Sequence, residues 1–403
     1  MNMRLFFIIL VVLSFTLDCS HKMYESKNDE PDPCANAIGN GDTIISGPAG
    51  PSGDDFDQVF RSVEIDPTNS NVLYLGTERN GIVKSMDAGK TWQRLRRGLR
   101  HSIDGYPEVW DIAVSPANTS LILAATLDSP GPVAGDYPSS NGGVYRSSDG
   151  GTTWSRSNCG LSNSYATSIC FDVNDPTGVV LGISGGKATF SSLRGQPFAG
   201  ALFRSNDTGL NWNIATTPMD AEANVFRHLC SYGSGVGNFV SFGFSPDDHT
   251  GNLGFIRSTD GGRSWILFAP TLRTLLITEF DISANGSVLY ALERDAFAIN
   301  KSIDGGNTWK RINAPANGPI KTSPADADIV LFCQSEKVYR SYNGLSSWES
   351  VLTAADRVDD VEFSRSNPKV VYLAAKGYHV YKSEDAGLTW DHIVSLRAEG
   401  WLQ

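Results

Sequence analysis

Four segments of the chain are longer than its regular repeat needs, and three of them carry acidic side chains. These segments are residues 96–108, 127–142, 184–200 and 216–224. Two carboxyl groups on either side of a glycosidic bond can hydrolyse it, one as a general acid and the other as a base or nucleophile. The candidate catalytic residues from these segments are therefore Asp104, Glu108, Asp128 and Asp136.

Groups suited to binding a sugar lie in and beside the same segments. Sugars present C–H faces that pack on aromatic rings and hydroxyls that bond to charged side chains. The candidate ligand-binding residues are Arg100, Tyr106, Trp110, Tyr137, Arg194 and Phe198. We assign no metal ligand and expect no cofactor, because one histidine with two acids, at Asp247, Asp248 and His249, is only a weak metal signal.

An eight-residue repeat, Ser-x-Asp-x-Gly-x-Thr-Trp, determines where these segments lie, and it occurs seven times. Its third position is Asp87, Asp149, Asp207, Asp260, Asp304, Asn343 and Asp385, and its last is Trp92, Trp154, Trp212, Trp265, Trp309, Trp348 and Trp390. In a hairpin turn the aspartate accepts backbone N–H groups, glycine takes a positive φ and tryptophan buries the hairpin. We therefore assign these residues a structural role, and we expect a looser turn in the sixth copy.

Strand patterns around each repeat predict the fold. A short strand ending in a cation and serine precedes each copy, another strand follows it, and two more lie upstream. Four strands per repeat without helical stretches predict an all-β, seven-bladed β-propeller with four-stranded antiparallel blades. If the strands of a blade are called A to D from the axis outward, the repeats are C–D turns. The four long segments are then D–A or B–C connections on the opposite face.

The N-terminus predicts export. Residues 1–19 carry Arg4 and the apolar run 5–13, typical of a signal peptide. Cys19 stands where bacterial lipoproteins carry their lipid, although Asp18 replaces the usual small residue; ordinary secretion is the alternative. The expected locations are the periplasm, the outer membrane as a lipoprotein, or the exterior. A flexible polar tether over 20–53 and the propeller over 54–397 follow, and 398–403 form a C-terminal tail.

Composition restricts the partners. The net charge of −11, with 33 basic and 44 acidic residues, disfavours nucleic acid. We expect a monomer that contacts a membrane only through an N-terminal lipid, and whose partner is an extracellular glycan or protein. Of the six cysteines, Cys170, Cys230 and Cys333 lie in apolar strand patterns and are expected to be buried thiols.

The seven repeats, with upstream units such as EIDPTNSNVLYLGT, resemble the BNR or Asp-box propellers over residues 55 to 396. This group includes sialidases, xyloglucan-cleaving glycosidases, sortilin-type receptors and photosystem II assembly factors. Sialidases have six blades and an Arg-Ile-Pro motif, which this sequence lacks. In xyloglucan-cleaving enzymes a catalytic aspartate follows the second strand of the first blade. The resemblance places Glu78 at that position, within TERNG, and adds it to the catalytic candidates.

The resemblance leaves two hypotheses open. The first is a binding or assembly module similar to the assembly factors and receptors. The second is a glycoside hydrolase with paired carboxylates, although the xyloglucan-cleaving enzymes hold substrate between two propellers and this chain has repeats for one. If the second is right, we expect at least two of the five candidate carboxylates to converge on one cleft of the long-segment face.

Overall fold

The computed structural model describes residues 44–46, 59–78, 80–99, 106–127, 142–161, 165–184, 200–217, 225–233, 238–244, 252–293 and 296–395. These residues form seven antiparallel sheets, so the predicted seven-bladed β-propeller with four-stranded blades is confirmed. Apart from one short 3-10 helix, Pro270–Leu272, the regular structure of the described residues is strand. No helix in the described ranges is long and apolar enough to cross a membrane.

The strands follow each other in blade order. Blades 1 to 4 consist of β2 (Phe60–Ile65), β3 (Leu73–Thr77), β4 (Ile82–Ser85) and β5 (Thr91–Leu95); β6 (Glu108–Val114), β7 (Ile122–Leu127), β8 (Gly143–Ser147) and β9 (Ser155–Arg156); β10 (Ala166–Phe171), β11 (Val179–Ile183), β12 (Ala201–Ser205) and β13 (Asn213–Ile214); and β14 (Val225–Ser231), β15 (Phe239–Phe244), β16 (Asn252–Ser258) and β17 (Ile266–Phe268). Blades 5 to 7 consist of β18 (Ile277–Ile282), β19 (Leu289–Glu293), β20 (Ala298–Ser302) and β21 (Lys310–Asn313); β22 (Ile320–Thr322), β23 (Val330–Gln334), β24 (Lys337–Ser341) and β25 (Glu349–Thr353); and β26 (Val358–Phe363), β27 (Val371–Ala375), β28 (His379–Ser383) and β29 (Asp391–Ser395).

A further strand, β1 (Ile44–Ser46), pairs antiparallel with β5 and makes blade 1 five-stranded. The sequence predicts a flexible tether over 20–53, and the structure differs from that expectation at these three residues. The outermost strand of a blade has an open row of backbone donors and acceptors, to which an adjacent β-prone segment can pair. The strand joins the blade that follows it in the chain, so it does not bridge the two ends of the ring.

The eight-residue repeat forms the same turn in every blade. In blade 1 the Ser85 hydroxyl accepts a hydrogen bond from the Gly89 N–H at 2.8 Å and donates to Asp87 at 2.9 Å. The Asp87 carboxylate in turn accepts from the Thr91 N–H at 2.8 Å. The same three hydrogen bonds occur in all seven copies. Serine and aspartate thereby satisfy the turn's backbone donors.

The sixth copy is not looser than the others, and the sequence-based expectation for it is wrong. Asn343 replaces aspartate and its amide oxygen accepts from the Ser347 N–H at 2.9 Å. Leu345 replaces glycine and takes the left-handed conformation at φ 68°. Its side chain is only 2% exposed and packs in the core between blades 5 and 6. Burial of the leucine offsets the steric cost of the left-handed backbone.

The connections between blades also clamp the next repeat. The Trp154 N–H donates to the Arg97 carbonyl at 2.8 Å, and the Trp212 N–H donates to the Cys159 carbonyl at the same distance. The residues that follow these carbonyls, Gly98 and Gly160, have φ of +90° and +93°. The D–A connection therefore runs against the backbone of the following blade's tryptophan, where there is no room for a side chain.

Side chains close the ring between blades 7 and 1. The buried Phe60 and Tyr378 rings meet edge to face at 5.1 Å, and the Asn80 amide donates to the Tyr378 hydroxyl at 2.9 Å. On the other side of the blade pair, the Tyr372 hydroxyl donates to the Ser70 carbonyl at 3.0 Å. These contacts belong to one apolar cluster shared by the first and last blades. Each blade is thus complete from one continuous stretch of chain.

Candidate functional site

The strand order places the described ends of all four long segments on one face of the ring. Residues 96–108 and 216–224 connect a D strand to the next A strand, and residues 127–142 and 184–200 connect a B strand to a C strand. The repeat turns connect C to D and therefore lie on the other face. The start of each A strand and the end of each B strand border the long-segment face.

Arg61 lies at this face on a β-bulge. The register of β2 against β3 shifts between Phe60 and Ser62, so the intervening Arg61 is left out of the ladder. Its Nη2 lies 2.7 Å from Glu78 Oε1 and 3.9 Å from Glu108 Oε2. The contacting oxygens of the two carboxylates therefore lie at most about 7 Å apart, an upper bound that includes the carboxyl separation of retaining glycosidases.

Trp110 occupies the equivalent bulge in blade 2, where the register shifts between Val109 and Asp111. Its indole Nε1 donates to Glu108 Oε2 at 2.8 Å. The Arg61 guanidinium carbon lies 5.0 Å from the centre of the Trp110 ring, within cation–π distance. Arg61, Glu78, Glu108 and Trp110 thus form one connected group, which we call the Arg61 cluster.

The Arg61 cluster is suited to binding polar ligands more than to acid catalysis. A glycosidase general acid must enter the reaction protonated. Glu78 instead forms an ion pair with Arg61, and Glu108 shares that guanidinium while accepting from an indole. The guanidinium, the two carboxylates and the half-buried indole together offer donors, acceptors and an apolar ring surface.

Tyr106 belongs to a neighbouring group. The Arg96 guanidinium carbon lies 4.8 Å from the Tyr106 ring centre, and Arg96 Nε donates to the Asn80 carbonyl at 2.8 Å. The Asn80 amide reaches Tyr378 of blade 7, as described above. Tyr106 is therefore partly buried against the core of blades 1 and 2, at the edge of the Arg61 cluster.

The remaining predicted site residues lie outside the described part of the chain. These are Arg100, Asp104, Asp128, Asp136, Tyr137, Arg194, Phe198 and Cys19. Asp247, Asp248 and His249 also lie outside it. Within the described ranges, no group of three or more histidine, cysteine or acidic side chains is arranged to hold a metal ion.

Sequence reasoning missed Arg61 and Asp359, which borders the same face from blade 7. Asp359 accepts hydrogen bonds from the Phe60 N–H at 3.2 Å and from Arg357 at 2.9 Å. Its side chain is 2% exposed, and this burial raises its pKa to about 6. A sequence feature that could have indicated them is that Arg61, in VFRSV, and Asp359, in RVDDV, are charged residues at the same position of two neighbouring innermost strands.

A second set of acidic residues lines the axis of the ring and was also missed. Each carboxylate accepts a hydrogen bond from a backbone N–H of a neighbouring innermost strand. Glu64 accepts from Val114 at 3.3 Å, Asp111 from Ile169 at 2.8 Å, Asp281 from Thr322 at 2.6 Å and Asp360 from Val63 at 2.8 Å. Burial raises their pKa values to about 8, 7, 6 and 7 respectively. We call Glu64, Asp111, Asp281 and Asp360 the axial carboxylates.

Cations and a histidine accompany the axial carboxylates. Lys321 Nζ lies 2.6 Å from Glu362, and nearby carboxylates outweigh burial to raise the lysine pKa. His228 Nε2 lies 3.2 Å from Glu279 of the next blade. Because the inner edge of each A strand has no strand partner, these polar contacts hold neighbouring blades together around the axis.

No family model and no curated protein matches the sequence. Solved structures with the same fold include an ancestral GH74 enzyme, with a TM-score of 0.62 and 17% identity over 87% of this chain and 48% of that one. The GH74 xyloglucanase from Xanthomonas campestris has a TM-score of 0.54 and 14% identity over 87% of this chain and 65% of that one. The chain thus spans about half and two thirds, respectively, of these enzymes.

YCF48 is similar over almost its whole length. The protein from Cyanidioschyzon merolae has a TM-score of 0.57 and 13% identity over 85% of this chain and 98% of that one. YCF48 bound to the D1 peptide has a TM-score of 0.58 and 13% identity over 85% and 97%. The β-propeller is common to all of them. Identities this low establish the fold, and function has to be argued from the site.

Proposed function

We propose that this chain is an exported Asp-box propeller that acts as a binding or assembly module for an extracellular glycan or protein, with the Arg61 cluster as its contact surface. The observation that carries the proposal is that Arg61 Nη2 lies 2.7 Å from Glu78 and 3.9 Å from Glu108, so that one guanidinium joins both carboxylates in a single group. Such a group can bind hydroxyls and amides through its charged donors and acceptors. The near full-length likeness to YCF48, one form of which is bound to a peptide, supports the same proposal.

A glycoside hydrolase is the second candidate. The closeness of Glu78 and Glu108 supports it, because both carboxylates contact Arg61 Nη2 and their contacting oxygens lie at most about 7 Å apart, a bound that includes the spacing of retaining glycosidases. A substrate that displaced Arg61 would release both carboxylates for chemistry. The likeness to GH74 structures also supports it, although this chain spans only 48% of the ancestral enzyme.

We expect a ligand bound by this chain to depend on Arg61 and Trp110. The domain from residue 40 onward would be screened on an oligosaccharide array that includes xyloglucan fragments, and immobilised to retain envelope proteins. For any retained ligand, Arg61→Ala and Trp110→Ala should each weaken binding at least about tenfold, since a central Arg or Trp contact is worth about 2 kcal/mol. Reducing-sugar release from bound glycans would be measured in parallel.

The matched control is Arg311→Ala, which breaks an arginine–glutamate pair of similar length, 2.9 Å to Glu293, in blade 5. Its ligand affinity should equal that of the unmodified chain. Binding without sugar release supports the module, and release that is lost in Glu78→Gln and Glu108→Gln supports the hydrolase. A ligand that binds both Arg61→Ala and Trp110→Ala at full affinity would refute the proposed surface.

Export is part of the proposal, and the cysteines provide a test of it. Cys159 is disulfide-bonded, whereas Cys170, Cys230 and Cys333 are free thiols. Disulfides persist in oxidising compartments. In protein from the native host, denatured without reductant, we expect an alkylating reagent to label the three free thiols and to spare Cys159.

Peptide mass mapping measures this labelling, and treatment with reductant before alkylation is the control that should expose Cys159. Full labelling of Cys159 without reductant would contradict export to an oxidising compartment. The same mass map shows whether Cys19 is the lipid-bearing N-terminal residue, as in lipoproteins, or has been removed with a signal peptide.

A further inference from the structure

Two histidines meet on the two outer strands of blade 7. His379 begins β28 and His392 lies in β29, and the register of these antiparallel strands is Tyr381 opposite His392. Nδ1 of His379 lies 3.1 Å from Nε2 of His392. His392 is exposed and His379 is half-buried, so the pair is open to solvent on one side.

The distance between the two nitrogens fits a shared metal ion. Histidine nitrogens bind zinc at about 2.0–2.1 Å, and for bond angles of about 90 to 110° two such nitrogens lie about 2.9 to 3.4 Å apart. The observed 3.1 Å lies inside that range. Without a metal, the same distance is that of a hydrogen bond between the two imidazoles.

Neighbouring groups hold both rings in place. The Tyr381 ring stacks on His392, with centres 4.7 Å apart and planes at 28°. The Tyr381 hydroxyl is fixed in turn, because it accepts from the Ala355 N–H at 2.8 Å. His379 lies over Gly377, where a Cβ would come within 3.2 Å of the imidazole Cδ2 and Nε2. Little ordering is therefore required when a ligand binds.

The surrounding charge also favours a cation. Lys382 follows Tyr381 and so lies on the opposite face of the strand, where its ammonium pairs with Glu384 at 2.5 Å. The net charge of the whole chain is −11. Imidazole nitrogens prefer zinc and copper to calcium or magnesium, which take oxygen ligands.

We propose that His379 and His392 form a two-histidine site for a divalent transition-metal ion, Cu²⁺ or Zn²⁺, whose remaining ligands are water. The site is independent of the proposed function, because it lies on the outer strands of blade 7 and shares no residue with the Arg61 cluster.

Titration of the propeller with Cu²⁺ and, separately, with Zn²⁺ tests the site by calorimetry. We expect one ion per chain for at least one of the two metals, and at least a tenfold loss of affinity in His379→Gln and in His392→Gln. For copper, electron paramagnetic resonance should show two coordinated nitrogens in the unmodified chain and fewer in either variant. His392 is exposed, so its replacement should leave the thermal unfolding midpoint of the metal-free protein unchanged.

His249→Gln is the control, because it removes a histidine from the other segment with nearby acids and should leave the affinity unchanged. Metal binding that survives the double variant His379→Gln/His392→Gln, or that is lost in His249→Gln, overturns the proposal. So does the absence of binding by both metals at neutral pH. None of these outcomes depends on whether the Arg61 cluster binds a glycan or a protein.

Discussion

Replacing Gly98 with alanine is expected to destabilise the propeller by more than about 3 kcal/mol, enough to prevent folding of a marginally stable chain. A Cβ at this position would lie 2.0 Å from the carbonyl oxygen and 2.9 Å from the carbonyl carbon of Trp154. Both are backbone atoms and cannot rotate away as a side chain would. Relief would require the connection to move, which would break the hydrogen bond from the Trp154 N–H to Arg97 and unseat the fully buried Leu99.

The measurement is urea unfolding followed by tryptophan fluorescence, with Gly305→Ala as the matched control. Gly305 also has a positive φ, +68°, but the nearest atom to a Cβ there is the Gly286 carbonyl oxygen at 3.7 Å. That variant should lose only about 1 kcal/mol, the cost of a left-handed alanine. Gly160→Ala, with the same 2.0 Å approach to Trp212, should repeat the large effect. Equal losses in Gly98→Ala and Gly305→Ala would show that the connection does not clamp the next blade.

The thermal unfolding midpoint should rise by about 5 °C when the pH is lowered from 8.5 to 5.5. The axial carboxylates have folded-state pKa values of about 6 to 8, above the ordinary value of about 4 in an unfolded chain. At a pH between the unfolded-state and folded-state pKa values, the folded protein binds more protons than the unfolded one. The free energy of unfolding therefore falls as the pH rises through this range. Burial is the main cause, since ionising a carboxyl that is shielded from water is costly.

The charged groups facing the axial carboxylates do not reverse this direction. Neighbouring carboxylates raise the pKa of Lys321, and Glu64 is the leading cause that raises the pKa of Arg365, so both stay charged across the window. The repeat-turn aspartates, such as Asp87, have lowered pKa values because they accept several hydrogen bonds. Their contribution is present above about pH 4 and is lost on further acidification, so the maximum of stability should lie between about pH 4 and pH 6.

Glu64→Gln tests the assignment to the axis. The glutamine oxygen can still accept from the Val114 N–H, but it cannot ionise. We expect this variant to unfold at a higher temperature than the unmodified chain at pH 8.5 and to show a weaker pH dependence. Glu349→Gln, on the exposed outer strand of blade 6, is the control and should leave the pH dependence unchanged. A midpoint that rises steadily from pH 5.5 to 8.5 would contradict the role of the axial carboxylates.

The sequence predicted the fold well because its strongest signal is local. Ser85, Asp87 and Gly89 satisfy each other's hydrogen bonds within five residues, and seven copies of that turn fix the number and order of the blades. The repeat also determined which connections share a face. The prediction of a looser turn in the sixth copy was wrong. There the burial of Leu345 offsets the cost of a left-handed backbone that glycine adopts freely.

The sites depend on contacts between distant residues, which the pattern does not encode. Arg61 meets Glu108 only because two bulges in neighbouring blades face the same point, and Asp360 meets Val63 only because the ring closes. Glu78 and Glu108 were predicted as candidates from the family resemblance and the long connections, whereas Arg61 was not predicted because one arginine in an apolar strand has no distinctive spacing. The axial carboxylates were missed for a similar reason, since an acid within VWDIAV looks like a solvent-facing strand residue.

Closure of the ring by side chains alone has a consequence for chain connectivity. Among the described strands, each blade comes from one continuous stretch and the first and last blades exchange none, so the order of blades along the gene is not imposed by the architecture. A circular permutant that joins the end of β29 to the start of β2 through a short linker, and opens the chain between blades 5 and 6, would lack β1 but would contain the same seven four-stranded blades. In such a protein the Phe60 and Tyr378 contact would lie within a covalently continuous segment. The ring would then be closed by contacts between blades 5 and 6, where the new termini lie.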